Sequence, residues 1–469
     1  MRFAVWAPRA QRVDLVVADR RTAMAPSAGG WFEADAAAGA GTRYGFAVNG
    51  GAVRPDPRSA RQPDGVHALS AVVDHGAFAW TDNGWRGLHL PSAVLYELHV
   101  GTFTDDGTFD GVITRLDHLI ALGVTAVELM PVASFPGRHG WGYDGVDLFA
   151  VHEGYGGPDG LKRLVDACHG RGLGVVLDVV YNHLGPDGNY LPEFGPYFTD
   201  RYTTPWGSAV NFDGPGSDEV RRFVIDNALM WLRDYHVDGL RLDAVHAIFD
   251  GSPVHILEEL ATATGPDKPV VAESDRDHIR LIGHGLDAVW LDAFHHALHV
   301  ALTGERNGYY ADYRADDLHV VLRHEHPDKY VVFSQNHDQV GNRARGERLV
   351  QLVGFEAARR AAETVLRSPF IPLLFMGEEW GASAPFQYFA DHQDPLLAQA
   401  ISEGRRHEFA AFGWDPAGVP DPQDLATFER SKLDWSEVHH GDHAALLEVY
   451  RELIRTRQAR SVGSLRRYR

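Results

Sequence analysis

Hydrophobic residues occur in short runs along this chain, and the spacing between these runs changes near residue 94. Before that point, β-rich runs at residues 3–8, 12–17, 31–34 and 44–48 are separated by Gly, Ala, Pro and Asp turns. Such spacing is typical of a small antiparallel sandwich, which we place at residues 1–85. Residues 54–59 carry two prolines, so we expect a linker to begin there.

After residue 94 the apolar runs alternate with helix-length amphipathic segments. Eight runs read as strands: 94–100, 125–131, 174–182, 238–243, 269–274, 287–292, 330–335 and 371–376. The clearest helix spans residues 217–236, with Ser217 as its expected N-cap. Eight strand–helix units predict an α/β fold, a (β/α)8 TIM barrel over residues 86–460. A doubly wound open sheet is the alternative from the pattern alone.

Two segments stand outside this alternation. Residues 184–216 form a long loop, rich in Gly, Pro, Asn and Tyr, after the carboxyl end of the third strand. Because long loops in compact domains are usually functional, we expect it to border the active-site face. The last strong helix is predicted over residues 442–458, which leaves residues 461–469 as a short remnant.

The composition narrows the range of ligands. The net charge of −20 argues against binding to a phosphate backbone and favours a neutral or polar small substrate. The single cysteine, Cys168, lies in a predicted helix, which excludes disulfides within the chain and predicts a cytoplasmic location. We see neither a signal peptide nor a membrane span. Although there are 26 histidines, no metal-ligand spacing occurs, so we expect no metal and no cofactor.

Polar clusters follow four of the predicted strands. They comprise Asp178 to His183 after the third strand, Arg241, Asp243 and His246 after the fourth, Glu273 after the fifth, and Ser334 to Gln339 after the seventh. The carboxyl ends of barrel strands open onto one face, where catalytic residues of such enzymes collect. Each acid could instead cap a helix or pair with an arginine. Four clusters at one topological position favour a cleft with paired carboxylates, as cleavage of a glycosidic bond requires.

The local charges predict different roles for these acids. Arg241 lies two residues before Asp243, on the same side of the strand, and would keep that carboxylate ionised as a nucleophile needs. Glu273 has to carry a proton, so its surroundings should be apolar or acidic. Asp338 adds a third negative charge that favours a protonated Glu273. We predict that the carboxylates of Asp243 and Glu273 lie roughly 5 Å apart, the separation of a retaining enzyme.

In this order the four clusters resemble the four motif regions of the α-amylase superfamily of glycoside hydrolases. The resemblance implies that Asp243 is the nucleophile, Glu273 the acid/base and Asp338 the stabiliser of the transition state. It also implies five substrate-binding residues: Tyr143, His183, Arg241, His246 and His337. Asp178 would be a supporting residue near the arginine. Asn182 resembles a calcium ligand of true α-amylases, but we expect no calcium in this chain.

Finer motifs resemble the maltooligosyltrehalose trehalohydrolases. They are Tyr-Glu-Leu-His-Val-Gly-Thr-Phe at 96–103, Phe-Ser-Gln-Asn-His-Asp-Gln-Val-Gly-Asn-Arg at 333–343, Phe-Met-Gly-Glu-Glu at 375–379, and the stretches 385–392 and 403–409. The resemblance implies hydrolysis of the α-1,4 bond next to a terminal trehalose, with a separate synthase that supplies the substrate. It also implies a carboxyl-terminal β domain, which is apparently missing here. Residues 274–277 match the family pattern only loosely.

Two other functions remain open at this point. A 1,4-α-glucan branching enzyme would use the same three acids and differ in whether a sugar hydroxyl or water attacks the glycosyl-enzyme. A non-catalytic glycan-binding protein with an amylase-like barrel would typically have lost one of the carboxylates, whereas all three are present in this sequence.

Overall fold

The centre of the molecule is a closed barrel of eight parallel strands. The structure, a computed structural model, describes residues 1–274, 278–411 and 418–465. In chain order the barrel strands are Leu95–Leu98, Ala126–Leu129, Gly174–Val179, Gly239–Leu242, Val270–Ala272, Ala288–Trp290, Tyr330–Val332 and Ile371–Phe375. Each strand pairs with the next, and the eighth returns to the first, with Leu373 beside Leu95. All eight predicted strands are confirmed, and closure of the sheet rules out the open alternative.

The strands are short and apolar because both of their faces are covered. Every residue of Leu95–Leu98 and of Ala126–Leu129 is buried, as expected where helices pack outside and side chains fill the inside. The α-helices are Val100–Phe103, Phe109–Ile113, Leu116–Leu122, Gly157–His169, Leu191–Phe194, Ser217–Asp234, Ile256–Thr264, His278–Gly283, Asp292–Thr303, Asp317–Val321, His337–Gly341, Leu349–Arg367, Pro395–Ala411, Leu425–Arg430 and Gly441–Leu465. The predicted last helix is therefore present and longer than expected; residues 466–469 lie outside the described residues.

The start of the Ser217–Asp234 helix differs from the prediction. Gly216, and not Ser217, is the N-cap, and no side chain caps this end. Gly216 has a left-handed backbone with φ of 83°, and a Cβ there would lie 2.9 Å from Cγ of Pro196. Because only glycine fits this turn easily, the cap position precedes the serine.

Two loops contain strands that the sequence pattern did not reveal. The long loop after the third barrel strand folds into a hairpin of Phe198–Thr204 and Gly207–Val210. After the second barrel strand, Ala133–Ser134 pairs with Asp147–Val151. Both hairpins stiffen loops at the carboxyl end of the barrel, the end that carries the polar clusters.

The amino-terminal part contains two antiparallel sheets, as predicted. One has the strands Arg2–Trp6, Ala25–Pro26 and Trp31–Asp35; the other has Val13–Val17, Arg20–Ala23, Arg43–Val48, Val53–Arg54 and Ser70–Ala71. The prolines do interrupt regular structure after Arg54, but Ser70–Ala71 pairs again with Arg43–Val48. The expected linker at residues 54–59 is therefore a segment held within the sheet, and the Ser70 hydroxyl accepts the Asp56 backbone N–H at 2.9 Å.

The sandwich packs against the walls of the barrel. The ring of Trp6 meets that of Tyr197 edge-on at 5.3 Å, and Arg58 binds Asp226 at 2.8 Å on the Ser217–Asp234 helix. The sandwich thus supports the long loop of residues 184–216 from behind. Within residues 1–274, 278–411 and 418–465, none of the helices combines the length and the apolar character that crossing a membrane demands.

Candidate active site

The strand ends bring the three predicted catalytic carboxylates into one cleft. Asp243 and Glu273 directly follow the fourth and fifth barrel strands, and Asp338 lies in the helix His337–Gly341 after the seventh. All three line a cavity of about 560 Å³. Tyr143, His183, His246 and His337 line it too, so seven of the eight predicted site residues border one space. The eighth, Arg241, lies beneath it.

Arg241 is the fixed cation of this site. Its side chain is fully buried; Nη1 donates to Asp243 Oδ1 at 3.0 Å, and Nη2 lies 3.4 Å from Glu273 Oε2. Nη1 also donates to Asp178 Oδ2 at 2.8 Å. The guanidinium is stacked on the ring of Trp290 at 4.2 Å, which holds its plane. One arginine therefore orients both Asp243 and Glu273 from below, as the sequence spacing predicts for Asp243.

The turn after the fourth strand is strained at Ala244, the residue that follows Asp243. Ala244 has a φ of 37°, in the left-handed region that non-glycine residues rarely adopt. This conformation directs its backbone N–H to Glu273 Oε2 at 2.6 Å. Such a strained conformation is kept only where surrounding contacts hold it in place. Here the hydrogen bond from Ala244 to Glu273 holds it and links the ends of the two neighbouring strands.

Glu273 has the surroundings that an acid catalyst requires. Burial raises the pKa of its carboxyl, and the carboxylates of Asp243, Asp338 and Asp292 add to the rise. Arg241 opposes them, but the pKa still reaches about 8. Glu273 is consequently protonated at neutral pH and can donate a proton to a leaving group.

An aromatic and a histidine form the wall opposite these acids. The Tyr143 hydroxyl donates to Asp178 Oδ2 at 2.6 Å and lies 2.8 Å from His337 Nε2. The Tyr143 and His337 rings are stacked with centroids 5.1 Å apart. Burial raises the pKa of Asp178 to about 7 although Arg241 lowers it. The wall thus presents the stacked Tyr143 and His337 rings to a ligand in the cleft.

The long loop contributes to the cleft through its hairpin. Trp206, at the hairpin tip, stacks on His183 with ring centroids 4.4 Å apart and an interplanar angle of 11°. Its side chain remains 46% exposed, so one face of the indole is available to a ligand. The prediction that residues 184–216 border this face is confirmed.

Sequence reasoning did not assign a role to several residues of the cleft. They are Trp141, Asp144, Trp206, Asn342, Tyr388, Ile401, Gly404 and Arg405. Tyr388, Gly404 and Arg405 lie in the stretches 385–392 and 403–409 that the motifs had singled out, and Trp141 and Asp144 lie close to Tyr143 in the sequence. The motifs therefore pointed to the loops but not to these side chains. Arg405 donates to the Gly341 carbonyl at 2.6 Å and to Asn342 Oδ1 at 3.1 Å, which fixes it next to Asp338.

The described residues contain no group of three or more His, Cys, Asp or Glu side chains arranged to hold a metal ion. Asn182, the residue that resembles a calcium ligand, is buried, and its side-chain atoms have no hydrogen-bond partner among the described residues. The stretch 274–277 that follows Glu273 lies, apart from Ser274, outside the described residues.

Known proteins were compared with the chain as a whole. The family model "Alpha amylase, catalytic domain" matches residues 75–201. A malto-oligosyltrehalose trehalohydrolase from Rhizobium sp. (strain M-11) is 50% identical over 98% of this chain and 85% of its own length. A crystal structure of a putative alpha amylase from Salmonella typhimurium superposes with a TM-score of 0.92 at 42% identity, over 98% of this chain and 84% of that one.

The chain is less similar to a branching enzyme, the alternative function. A 1,4-alpha-glucan branching enzyme from Bordetella bronchiseptica is 30% identical over 90% of this chain and 65% of its own length. The likeness to the trehalohydrolases is both higher and more complete. The chain therefore belongs to the malto-oligosyltrehalose trehalohydrolase family, within the α-amylase superfamily.

Proposed function

We propose that this protein is a retaining glycoside hydrolase that releases trehalose from maltooligosyltrehalose. It cleaves the α-1,4 bond between the glucan and the terminal trehalose. The observation that carries the proposal is the shared arginine: Arg241 contacts both Asp243 and Glu273 at the floor of the cleft that Asp338 also lines. Family membership over nearly the whole chain supports the choice of substrate.

The chemistry follows from the state of each acid. Asp243, beside Arg241, attacks the anomeric carbon while Glu273 gives its proton to the glycosidic oxygen, which leaves as the 4-hydroxyl of trehalose. Glu273, now ionised, then takes a proton from water as the water oxygen attacks the anomeric carbon and releases Asp243. Asp338, at the edge of the same cleft, stabilises positive charge on the sugar ring during both steps. The predicted separation of roughly 5 Å between the two carboxylates remains a prediction.

Product analysis tests the reaction and its stereochemistry together. Maltooligosyltrehalose, maltopentaose and amylose are incubated with the protein in parallel. Free trehalose from the first substrate supports the proposal, and proton NMR at early times should show the new reducing end as the α-anomer. New α-1,6 branches would favour a branching enzyme, and an initial β-anomer would refute retention.

Matched variants test the assignment of the nucleophile. Asp243→Asn should lower kcat by several orders of magnitude while the circular dichroism spectrum stays the same. Asp147→Asn is the control, because Asp147 is equally buried but lies outside the cleft, and burial raises the pKa of its carboxyl well above the usual range. Near-normal turnover in Asp243→Asn would contradict the role.

Two further expectations belong to the same proposal. A separate synthase would supply maltooligosyltrehalose, and co-incubation of both enzymes with a maltooligosaccharide should then yield trehalose. The cytoplasmic location predicted from the lone Cys168 is tested by fractionation of cells that make the protein.

A further inference from the structure

A buried carboxylate at the end of the first barrel strand holds one of the cleft histidines. Glu97 is 1% exposed; its Oε1 lies 2.5 Å from His337 Nδ1, and its Oε2 accepts the His337 backbone N–H at 2.9 Å. Both oxygens are therefore occupied by the same residue. They fix the ring of His337 and the first turn of the helix His337–Gly341, in which Asp338 follows.

The other nitrogen of the same ring faces the cleft. His337 Nε2 lies 2.8 Å from the Tyr143 hydroxyl, which already donates its proton to Asp178, and 3.5 Å from Asp338 Oδ2. Nδ1 faces a carboxylate, and Nε2 faces a hydroxyl oxygen and a second carboxylate. Because a carboxylate lies beside each nitrogen, the contacts favour a proton on both.

We propose that Glu97 is a positioning residue of the reaction, which holds His337 as an imidazolium with its Nε2–H directed into the cleft beside Asp338. The inference rests on the proposed function for its consequence in turnover, but the contact itself can be measured without substrate. A fixed positive charge at this place orders Asp338 and the Tyr143 hydroxyl, both of which border the cleft.

The electrostatic surroundings of His337 agree with this charge state. Burial alone would lower the pKa of His337, but the Asp338 and Glu97 carboxylates outweigh it and raise the pKa to about 9, with Arg241 opposing. The ionisable groups around the ring come from several elements: Glu97 and His99 from the first strand and its end, Glu128 from the second strand, Tyr143 from the following loop, Asp178 and Arg241 from the third and fourth strands, and Asp338 from its own helix. Burial lowers the pKa of His99 to about 3, so His99 adds no competing positive charge.

The neighbouring strand offers a matched control. Glu128 lies beside Glu97 in register, is also 1% exposed, and neither of its carboxyl oxygens has a hydrogen-bond partner among the described residues. Burial, with the Glu97 charge added, raises the pKa of Glu128 well above its usual range, so this carboxyl is neutral. Glu128→Gln thus exchanges one neutral buried group for another of the same shape.

The decisive variant is Glu97→Gln, which keeps the shape and removes the charge. We expect kcat to fall by about 10- to 100-fold, as when a carboxylate that orients a functional histidine is removed, with a smaller change in KM. Glu97→Asp should restore part of the loss, and Glu128→Gln should keep wild-type turnover. A purely structural role of Glu97 would lower the melting temperature of Glu97→Gln and would leave the pH dependence of kcat unchanged.

Nitrogen-15 NMR of the His337 ring, assigned with His337→Gln, tests the contact independently of activity. In the wild-type protein both ring nitrogens should carry protons at pH 7, and in Glu97→Gln the midpoint of titration should move to lower pH. A neutral ring in the wild-type protein would overturn the proposal even if trehalose is released. A charged ring in a protein that releases no trehalose would instead refute only the proposed function. Should Glu97→Gln fail to fold, the wild-type spectrum alone decides.

Discussion

The proton on Glu273 gives the sharpest test of the site. Its carboxyl has a pKa near 8 in place of 4.5, mainly because it is buried and secondarily because three carboxylates surround it. A shift of this size means that the fold disfavours the ionised form by roughly 5 kcal/mol, and that roughly nine-tenths of the molecules carry the proton at pH 7. In the proposed mechanism the protonated form of Glu273 is the active one, so activity should decline as the pH rises through this pKa.

The assay compares two substrates over a range of pH. With maltooligosyltrehalose, kcat/KM should fall about tenfold per pH unit above pH 8, because it reports ionisation in the free enzyme. Glu273→Gln should lower it by about 10²- to 10⁴-fold at pH 7 and remove the decline that begins near pH 8, so that only the loss of the His337 proton near pH 9 remains. With a nitrophenyl maltooligoside, whose leaving group needs no proton, formation of the glycosyl-enzyme should be far less affected.

A second buried glutamate provides the control. Glu378 also has a pKa of about 8, raised by burial, but it is bound to Ser334 and Tyr450 outside the cleft. Glu378→Gln should therefore leave the alkaline decline where it is. If the decline disappears in Glu378→Gln, or persists unchanged in Glu273→Gln, Glu273 is not the acid.

Two further predictions follow from contacts in the cleft. Trp206→Ala should raise KM about 2- to 12-fold with little change in kcat, which corresponds to the loss of an aromatic contact of about 0.5–1.5 kcal/mol. Trp206→Phe should raise KM by a smaller factor. An unchanged KM in Trp206→Ala would show that the exposed indole face does not touch the substrate. Asp243→Asn removes one of the charges that raise the pKa of Glu273. Carbon-13 NMR of the Glu273 carboxyl should therefore show a lower pKa in this variant than in the wild-type protein. An equal or higher pKa would contradict this electrostatic coupling.

The barrel was predictable because each of its strands leaves a local pattern in the sequence. A parallel strand covered on both faces must be a short, nearly continuous apolar run, and eight such runs were visible in the sequence. The positions of Asp243 and Glu273 in the cleft were predictable for the same reason, since each directly follows an apolar run. The cap of the Ser217–Asp234 helix was not, because the competition between Gly216 and Ser217 depends on how close Pro196 comes in space.

Contacts between residues far apart in the chain could not be predicted from the sequence. Nothing local marks Glu97 as a partner of His337, because 240 positions separate them and a buried glutamate in an apolar strand carries no periodic signal. The role of Trp206 likewise depends on the hairpin Phe198–Thr204 with Gly207–Val210, whose polar strands resemble an irregular loop in the sequence. Motifs identified the loops of the cleft, and only the fold identified the side chains that face it.

The same electrostatics that make Glu273 an acid explain how it can become a base later in the proposed cycle. The Asp243 carboxylate is one of the groups that raise the pKa of Glu273, whereas Arg241 lowers it. When Asp243 forms an ester with the sugar, its negative charge disappears while the charge of Arg241 stays. The pKa of Glu273 must then fall, because one repulsive neighbour is lost and the attractive one remains 3.4 Å away. Glu273 has just given up its proton at that moment, so the fold holds it as a carboxylate until water arrives. In the proposed cycle, the arginine shared by Asp243 and Glu273 thus lets Glu273 serve both steps.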